Sequence, residues 1–381
     1  MEYRKLRVMI SGGGTGGHIF PALSIAGKLK EVNPDTEILF VGAKGRMEME
    51  KVPAAGYEIV GLPIAGLQRK LTLSNLALPL KVIRSVRMAE KLIRSFRPDI
   101  VIGVGGYASA PLLYAAGRLN VPTLIQEQNG YAGLTNRILG KRAARICVAY
   151  EGMEKFFPAE RIVLTGNPIR GEIVPADERM REQAYEYYGL NPAARHILIL
   201  GGSLGSGTLN RAMEKWIEDG CPAGENVEVL WQCGKYYKAA VDGFMKDKDV
   251  PGIRHTDFIG RMDLAYAAAD VVISRSGASS VSELCAARKA VIFVPSPNVA
   301  EDHQTHNAMA LAGRDAALMV RDSEACGKLM GTACTLVNAP ERIRQLEDNI
   351  AAMARIGAAM DIITEIYNVT SNNTCTATSI S

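Results

Sequence analysis

Short apolar runs rich in β-branched residues alternate along the chain with longer stretches of helical period, the pattern of a parallel sheet with crossover helices. In the first half, Leu6–Ile10, Glu37–Val41, Glu58–Leu62, Ile100–Val104, Thr123–Gln126 and Arg145–Val148 predict strands. Pro21–Glu31, Leu73–Phe96 and Leu134–Lys141 predict helices between them. The pattern restarts after Gly166-Asn167-Pro168-Ile169-Arg170, a break rich in turn residues. His196–Leu200, Val227–Gln232, Ile253–Phe258, Val271–Ser274, Val291–Val294 and Ala317–Val320 predict a second set of strands. A final helix is expected over Glu341–Tyr367, and the polar residues 371–381 are expected to be disordered. The fold class is therefore α/β, with two Rossmann-like parallel-sheet domains, 1–168 and 169–345, facing a central cleft.

Composition narrows the class. The chain has 381 residues, 48% hydrophobic and 22% charged, enough for two packed cores and unlike a disordered protein. No apolar run reaches membrane-spanning length, and Met1–Lys5 does not open a signal peptide. Seven cysteines without a C-x-x-C pair point away from a disulfide framework or a zinc site. The net charge of +4 conceals an asymmetry: residues 1–168 carry +10 and residues 169–381 carry −6. An anionic partner is expected at the first half.

Four loops follow predicted strands and carry the candidate chemistry. Ser11–His18 contains five glycines and precedes a helix, whose free N–H groups and dipole suit an anion. It also satisfies G-x-G-x-x-G at Gly12, Gly14 and Gly17, but the second strand ends Val41-Gly42-Ala43-Lys44, without the carboxylate that a dinucleotide ribose needs. The second loop is Gly103-Val104-Gly105-Gly106-Tyr107. The third, Gly201–Gly207, suits phosphate contact through Ser203 and neighbouring amides. It also matches the nucleophile elbow G-x-S-x-G, whose triad would draw on Asp270 or Glu283 with His303 or His306. The fourth, Ser274–Glu283, offers hydroxyls and Arg275 to phosphate and Glu283 to a ribose diol; taken alone, it reads rather as an ordinary Ser-rich helix cap with Glu283 on helix amides.

His18 closes the first loop, where a general base would be well placed. His303 and His306 share one helical face, but no third metal ligand is identifiable. Glu127 and Asn129 follow a strand. Arg69–Arg97 combines an apolar stripe with eight cations and one acid, Glu90, which reads as a crossover helix with a basic face or as a surface that rests on an anionic membrane. Nucleic acid is not expected, since the stretch lacks interleaved aromatics.

Gly13-Gly14-Thr15-Gly16-Gly17-His18, Gly105-Gly106-Tyr107, Glu127-Gln128-Asn129-Gly130, Gly166-Asn167-Pro168, Gly201-Gly202-Ser203 and Arg275-Ser276-Gly277 through Val281-Ser282-Glu283 occur in that order. With them the chain resembles the MurG family of bacterial UDP-N-acetylglucosamine transferases over essentially residues 7–367. The resemblance implies a GT-B fold, with a helix at about 346–368 packing back on the first domain. It implies inverting transfer of N-acetylglucosamine to the C4 hydroxyl of the muramoyl sugar of lipid I, giving lipid II, as a peripheral enzyme on the cytoplasmic face of the inner membrane.

The partners so implied are UDP-N-acetylglucosamine, lipid I, an anionic membrane surface met through Arg69–Arg97, and other cell-wall synthesis proteins. No cofactor and no metal are expected. By the same resemblance Thr15, Gly16 and Gly17 approach the donor sugar and diphosphate, while Gly14, Gly105, Gly106 and Tyr107 face the acceptor diphosphate. Asn129 and Gln304 contact sugar hydroxyls, Arg170, Ser203 and Arg275 meet phosphate, and Ile259 addresses uracil. Ala278, Ser279, Ser280, Val281, Ser282 and Glu283 line the nucleotide, with Glu283 on the ribose. His18 is the expected general base and Glu127 its rival.

Overall fold

The computed structural model describes residues 3–64, 78–202, 204–222, 224–299 and 302–377. Ser203, the stretch from Arg69 to Ala77 and the last four residues lie outside them. The chain divides into two compact units, Met1–Ile169 with Ile356–Ser381, and Arg170–Arg355.

The first unit is built on seven strands: β1 (Arg7–Ser11), β2 (Glu37–Ala43), β3 (Glu58–Leu62), β4 (Ile100–Gly103), β5 (Thr123–Glu127), β6 (Arg145–Val148) and β7 (Ile162–Leu164). Their order is β3-β2-β1-β4-β5-β6-β7, and every neighbouring pair is parallel. Helices cover both faces, which is why these strands read as continuous apolar runs. On one face Met9, Val101 and Ile125 pack with Ala89, Ile93 and Leu112. On the other, Val8, Ile10, Ile100 and Ile102 pack with Ile25 and Leu29, and with Ile362, Ile363 and Ile366 from near the C-terminus.

The second unit repeats the plan with β8 (Arg195–Leu200), β9 (Val227–Gln232), β10 (Ile253–Thr256), β11 (Val271–Ser274), β12 (Ala290–Phe293) and β13 (Leu318–Met319). The order is β10-β9-β8-β11-β12-β13, again all parallel. Ile197, Ile199, Trp231 and Ile273 form its centre with Leu209, Met213 and Leu329.

Three elements differ from expectation. The first helix spans Gly16–Val32, so Gly16 and Gly17 are helical and Pro21 falls inside. Glycine reads as loop in a sequence, but Thr15 is extended (φ −147°, ψ 156°) and its carbonyl accepts from both His18 and Ile19 N–H, which starts the turn there. The expected single helix over Glu341–Tyr367 is two, Pro340–Ala351 and Ala358–Ala377. Leu346 belongs to the core of the second unit and Ile362 to that of the first, so the apolar stripe breaks between them, beside Gly357. Finally, the last helix continues to Ala377, into the stretch expected to be disordered, because buried Val369 and Thr370 anchor the turns before it. No helix among the described residues is long and apolar enough to cross a membrane.

Candidate active-site loops

In each unit the direction of strand addition reverses once, between β1 and β4 and between β8 and β11. Open parallel sheets bind ligands beyond the carboxyl ends of the strands at such a reversal, because the two connections diverge there and leave a crevice. In the first unit Ser11 pairs in register with Gly103, so Gly12–Thr15 and Val104–Tyr107 leave the sheet side by side. In the second, Leu200 pairs with Ser274, which sets Gly201 and Gly202 beside Arg275–Gly277. All four glycine- or serine-rich loops thus emerge at the two reversals.

In the first unit, Gly14, Gly105 and Gly106 have φ of +86°, +95° and +78°, a region that other residues enter at a steric cost. A Cβ on Gly106 would collide with the Gly13 carbonyl oxygen, and one on Gly105 would stand 3.0 Å from His18 Nε2. The imidazole therefore lies against bare backbone. Its Nδ1 is 3.1 Å from Thr15 Oγ1. With the proton on Nδ1, donated to that hydroxyl, Nε2 keeps its lone pair, the form a base requires.

Beneath this loop sits a carboxylate that the sequence reading missed. Glu48 is fully buried and accepts from the Gly14 N–H and the Ala43 N–H, both at 3.0 Å. The Gly14 amide is thereby taken. Glu48 is 34 residues from Gly14, and no local pattern joins them.

Glu127 is 2% exposed at the end of β5. One oxygen accepts from Asn129 N–H at 3.1 Å and from the Asn129 side chain, and the other from Gly133 N–H at 3.2 Å and Asn136 Nδ2 at 2.9 Å. Burial pushes its carboxyl above the ordinary value, against the pull of these donors. A carboxylate so engaged holds the turn from Asn129 to Asn136 in shape. Asn167, from the Gly166-Asn167-Pro168 break, donates to the Gln128 carbonyl at 3.0 Å and accepts from Gln126 Nε2 at 3.0 Å.

In the second unit, Arg170 and Glu283 form a two-point ion pair, and the Tyr266 hydroxyl donates to Glu283 Oε2 at 3.3 Å. Glu283 lies on the helix Ala278–Ala287, which begins with Ala278, Ser279 and Ser280 just after β11. The Ser279 hydroxyl there is buried without a hydrogen-bond partner. Val281 is buried on the inner face of that helix, Ser282 is half-buried, and Ile259 is buried between β10 and the next helix.

Arg275, expected beside phosphate, braces neighbouring chain. It donates to Ser206 Oγ, to the Val294 and Pro295 carbonyls and to Asp322. Ser206 in turn caps the helix Gly207–Glu218. The Gln232 side chain brackets Gly202, accepting its N–H at 3.1 Å and donating to its carbonyl at 2.8 Å. Gln304 accepts the Ser296 N–H at 2.9 Å, and its own carbonyl accepts the Ser276 hydroxyl.

Among the described residues no group of three or more His, Cys, Asp or Glu is placed to hold a metal ion, and His303 and His306 gain no third ligand. The chain does contain one Asp-x-Asp triplet, Asp247-Lys248-Asp249, but it is exposed and precedes β10, at the opposite end of the sheet from the carboxyl-end loops.

Residues 8–148 match the glycosyltransferase family 28 N-terminal domain and residues 196–361 the glycosyltransferase family 28 C-terminal domain. The chain is 52% identical over 366 residues to the UDP-N-acetylglucosamine--N-acetylmuramyl-(pentapeptide) pyrophosphoryl-undecaprenol N-acetylglucosamine transferase of Parabacteroides distasonis, covering 96% of this chain and 99% of that one. The protein of the same name from Bacteroides fragilis is 53% identical over 365 residues, 96% of each chain. Among solved structures, the crystal structure of Acinetobacter baumannii MurG superposes with a TM-score of 0.76 at 28% identity, covering 96% of this chain and 100% of that one. Both domain models match in order and the relatives align nearly end to end; the chain belongs to glycosyltransferase family 28.

Proposed function

We propose that this chain transfers N-acetylglucosamine from UDP-N-acetylglucosamine to the C4 hydroxyl of the muramoyl sugar of lipid I, with inversion, to give lipid II. The observation that carries this reading is the end-to-end identity to relatives whose names specify that donor and acceptor. In this reading the second unit takes the nucleotide and the first takes the acceptor.

His18 is the base. Its Nε2 lies over the glycine turn where an acceptor hydroxyl could approach, and a neutral imidazole near pH 7 accepts a proton readily. Glu127 is a positioning residue, since four donors already engage it. The acceptor diphosphate meets the loop through Gly105, Gly106, Tyr107 and the free amides at the start of the helix Gly16–Val32, while Glu48 keeps the Gly14 amide. Departing UDP gains charge, which Arg170 and the amides around Ser203 stabilise; Arg275 acts by holding Ser206 and the loop after β12 in place. Thr15, Gly16, Gly17 and Asn129 are the first unit's candidates for sugar contact, and Gln304 is the second unit's.

Peripheral attachment to an anionic membrane accords with the helix Leu78–Phe96. It exposes Leu80 (72%) and Ile83 (50%) beside Lys81, Arg84 and Arg87.

The decisive experiment incubates the protein and its His18→Ala and Glu127→Gln variants with UDP-N-acetylglucosamine and either lipid I or diacylglycerol. UDP release with lipid I alone, lost in His18→Ala, supports the reading. Release with diacylglycerol alone would make the chain a glycolipid synthase, and release with neither would overturn the transfer. A Glu127→Gln variant less active than His18→Ala would exchange the two roles.

A further inference from the structure

Glu283 is where side chains from three segments of the second unit meet. Arg170, the first residue of that unit, donates from Nε to Oε1 at 3.0 Å and from Nη2 to Oε2 at 3.1 Å. Tyr266, on the helix Met262–Ala268, donates its hydroxyl to Oε2 at 3.3 Å. An ionised carboxylate has about four lone-pair sites. Three are taken among the described residues, and the fourth is on Oε1. A ribose diol brings two hydroxyls to one carboxylate, so both cannot be accepted while all three of these bonds stand.

We propose that Arg170 is a displaceable occupant of the ribose site and Tyr266 its permanent anchor: the diol takes Glu283 from Arg170, and the freed guanidinium turns to the diphosphate. The proposal rests on the donor reading above and deepens it. Burial decides which donor yields. Tyr266 is 2% exposed, so its hydroxyl would find no water on leaving Glu283, and a buried donor without a partner is costly. Burial, with Glu283 beside it, also pushes that hydroxyl well above its ordinary value, so it donates rather than ionises. The Arg170 side chain is 35% exposed, within reach of both solvent and a phosphate oxygen.

The exchange makes the ribose contact conditional on phosphate. A diphosphate offers the guanidinium a two-point anionic partner of the kind it gives up in Glu283. A nucleoside breaks the same ion pair and returns nothing to it. The second unit would therefore reject uridine more strongly than the missing phosphate contacts alone require, and Arg170 would act against one ligand and for the other.

The test titrates uridine, 2′-deoxyuridine and UDP against the full chain by NMR, in wild type, Arg170→Met, Arg170→Lys and Tyr266→Phe. In Arg170→Met, uridine should bind about threefold to tenfold more tightly and UDP about tenfold or more weakly, since one loses a competitor and the other a partner. 2′-Deoxyuridine, whose single hydroxyl fits the remaining lone pair, should not gain. Arg170→Lys keeps the charge without the two-point fork, so uridine should again gain while UDP loses less. Tyr266→Phe should weaken uridine and UDP alike, by about threefold to tenfold, and narrow the preference for uridine over 2′-deoxyuridine. Uridine weakened in both Arg170 variants would overturn the proposal, because Arg170 would then support the site rather than occupy it. So would a gain for 2′-deoxyuridine equal to that for uridine, or a Tyr266→Phe variant with the wild-type preference. UDP binding to wild type separates the two readings: its absence would sink the donor site itself, whereas its presence without the opposite responses of uridine and UDP would sink the exchange alone.

Discussion

Glu283 receives the Arg170 guanidinium side-on, Nε to Oε1 at 3.0 Å and Nη2 to Oε2 at 3.1 Å. The carboxylate proposed to take the ribose diol is therefore held in place before any nucleotide arrives. The Tyr266 hydroxyl adds a third bond, and the Glu283 side chain is only 12% exposed. Such preorganisation reduces the ordering that a ligand would otherwise impose. It also joins the group proposed to read the ribose to the cation proposed to meet the diphosphate.

Glu283→Gln keeps the shape but loses the charge that both Arg170 and a diol bind. The donor KM should rise about tenfold to a hundredfold, matching the roughly 1.5–3 kcal/mol of a hydrogen bond to a charged group. The kcat should change little, because the contact is made equally in the ground and transition states. Steady-state kinetics with UDP-N-acetylglucosamine and its 2′-deoxyribose analogue test this. The variant should lose most of the preference for the ribose form; an unaltered preference would remove Glu283 from the ribose.

What the sequence disclosed and what it concealed follow from the range of the interactions. Strands with both faces covered are unbroken apolar runs, so twelve of the thirteen stood out to within a residue or two. The exception, Ile162–Leu164, is a three-residue, half-buried edge strand, too short for any period to register. Glycine loops were legible because close backbone approach leaves no room for another residue, as the Gly105–Gly106 contact with His18 illustrates. Their supports were not. Glu48, Gln232 and Tyr266 act across the fold on Gly14, Gly202 and Glu283, and in the sequence each is an ordinary helix or strand residue. Arg275 shows the same limit from the other side. Its motif is visible, but only the structure shows that its donors go to Ser206, Val294, Pro295 and Asp322.

Glu48 offers a test of whether the first glycine loop is shaped from beneath. Glu48→Gln can accept from only one of the two amides at 3.0 Å and turns an NH2 group towards the other. A buried donor left without a partner costs about 1–3 kcal/mol. For a unit of this size that lowers the unfolding temperature by about 2–4 °C per kcal/mol. Scanning calorimetry should show the loss in the transition of the first unit. At permissive temperature kcat should fall while the donor KM holds, because His18 is carried by the same loop. A variant with wild-type kcat would show that the loop keeps its shape without the carboxylate.

His196 makes a pH dependence for the second unit. Its ring is buried and stacked on Tyr185, with centroids 4.8 Å apart, and neither ring nitrogen has a hydrogen-bond partner. Glu228 at 3.5 Å and Asp270 at 3.8 Å favour the protonated ring, but each is already engaged, by Arg254 and Arg181 respectively. Burial dominates and holds the imidazole below its ordinary value. The unfolded chain takes up the proton near pH 6.5, while the folded chain takes it up only at lower pH. Between those two values the unfolded state binds more protons, so stability rises with pH. The contribution is whole above about pH 6.5 and is lost as the pH falls through the folded value. His196→Phe keeps the stacking and removes the titration. Urea unfolding followed by tryptophan fluorescence, between pH 7.5 and 5, should show a shallower loss of stability in the variant, and equal slopes in the two proteins would show that another group carries the dependence.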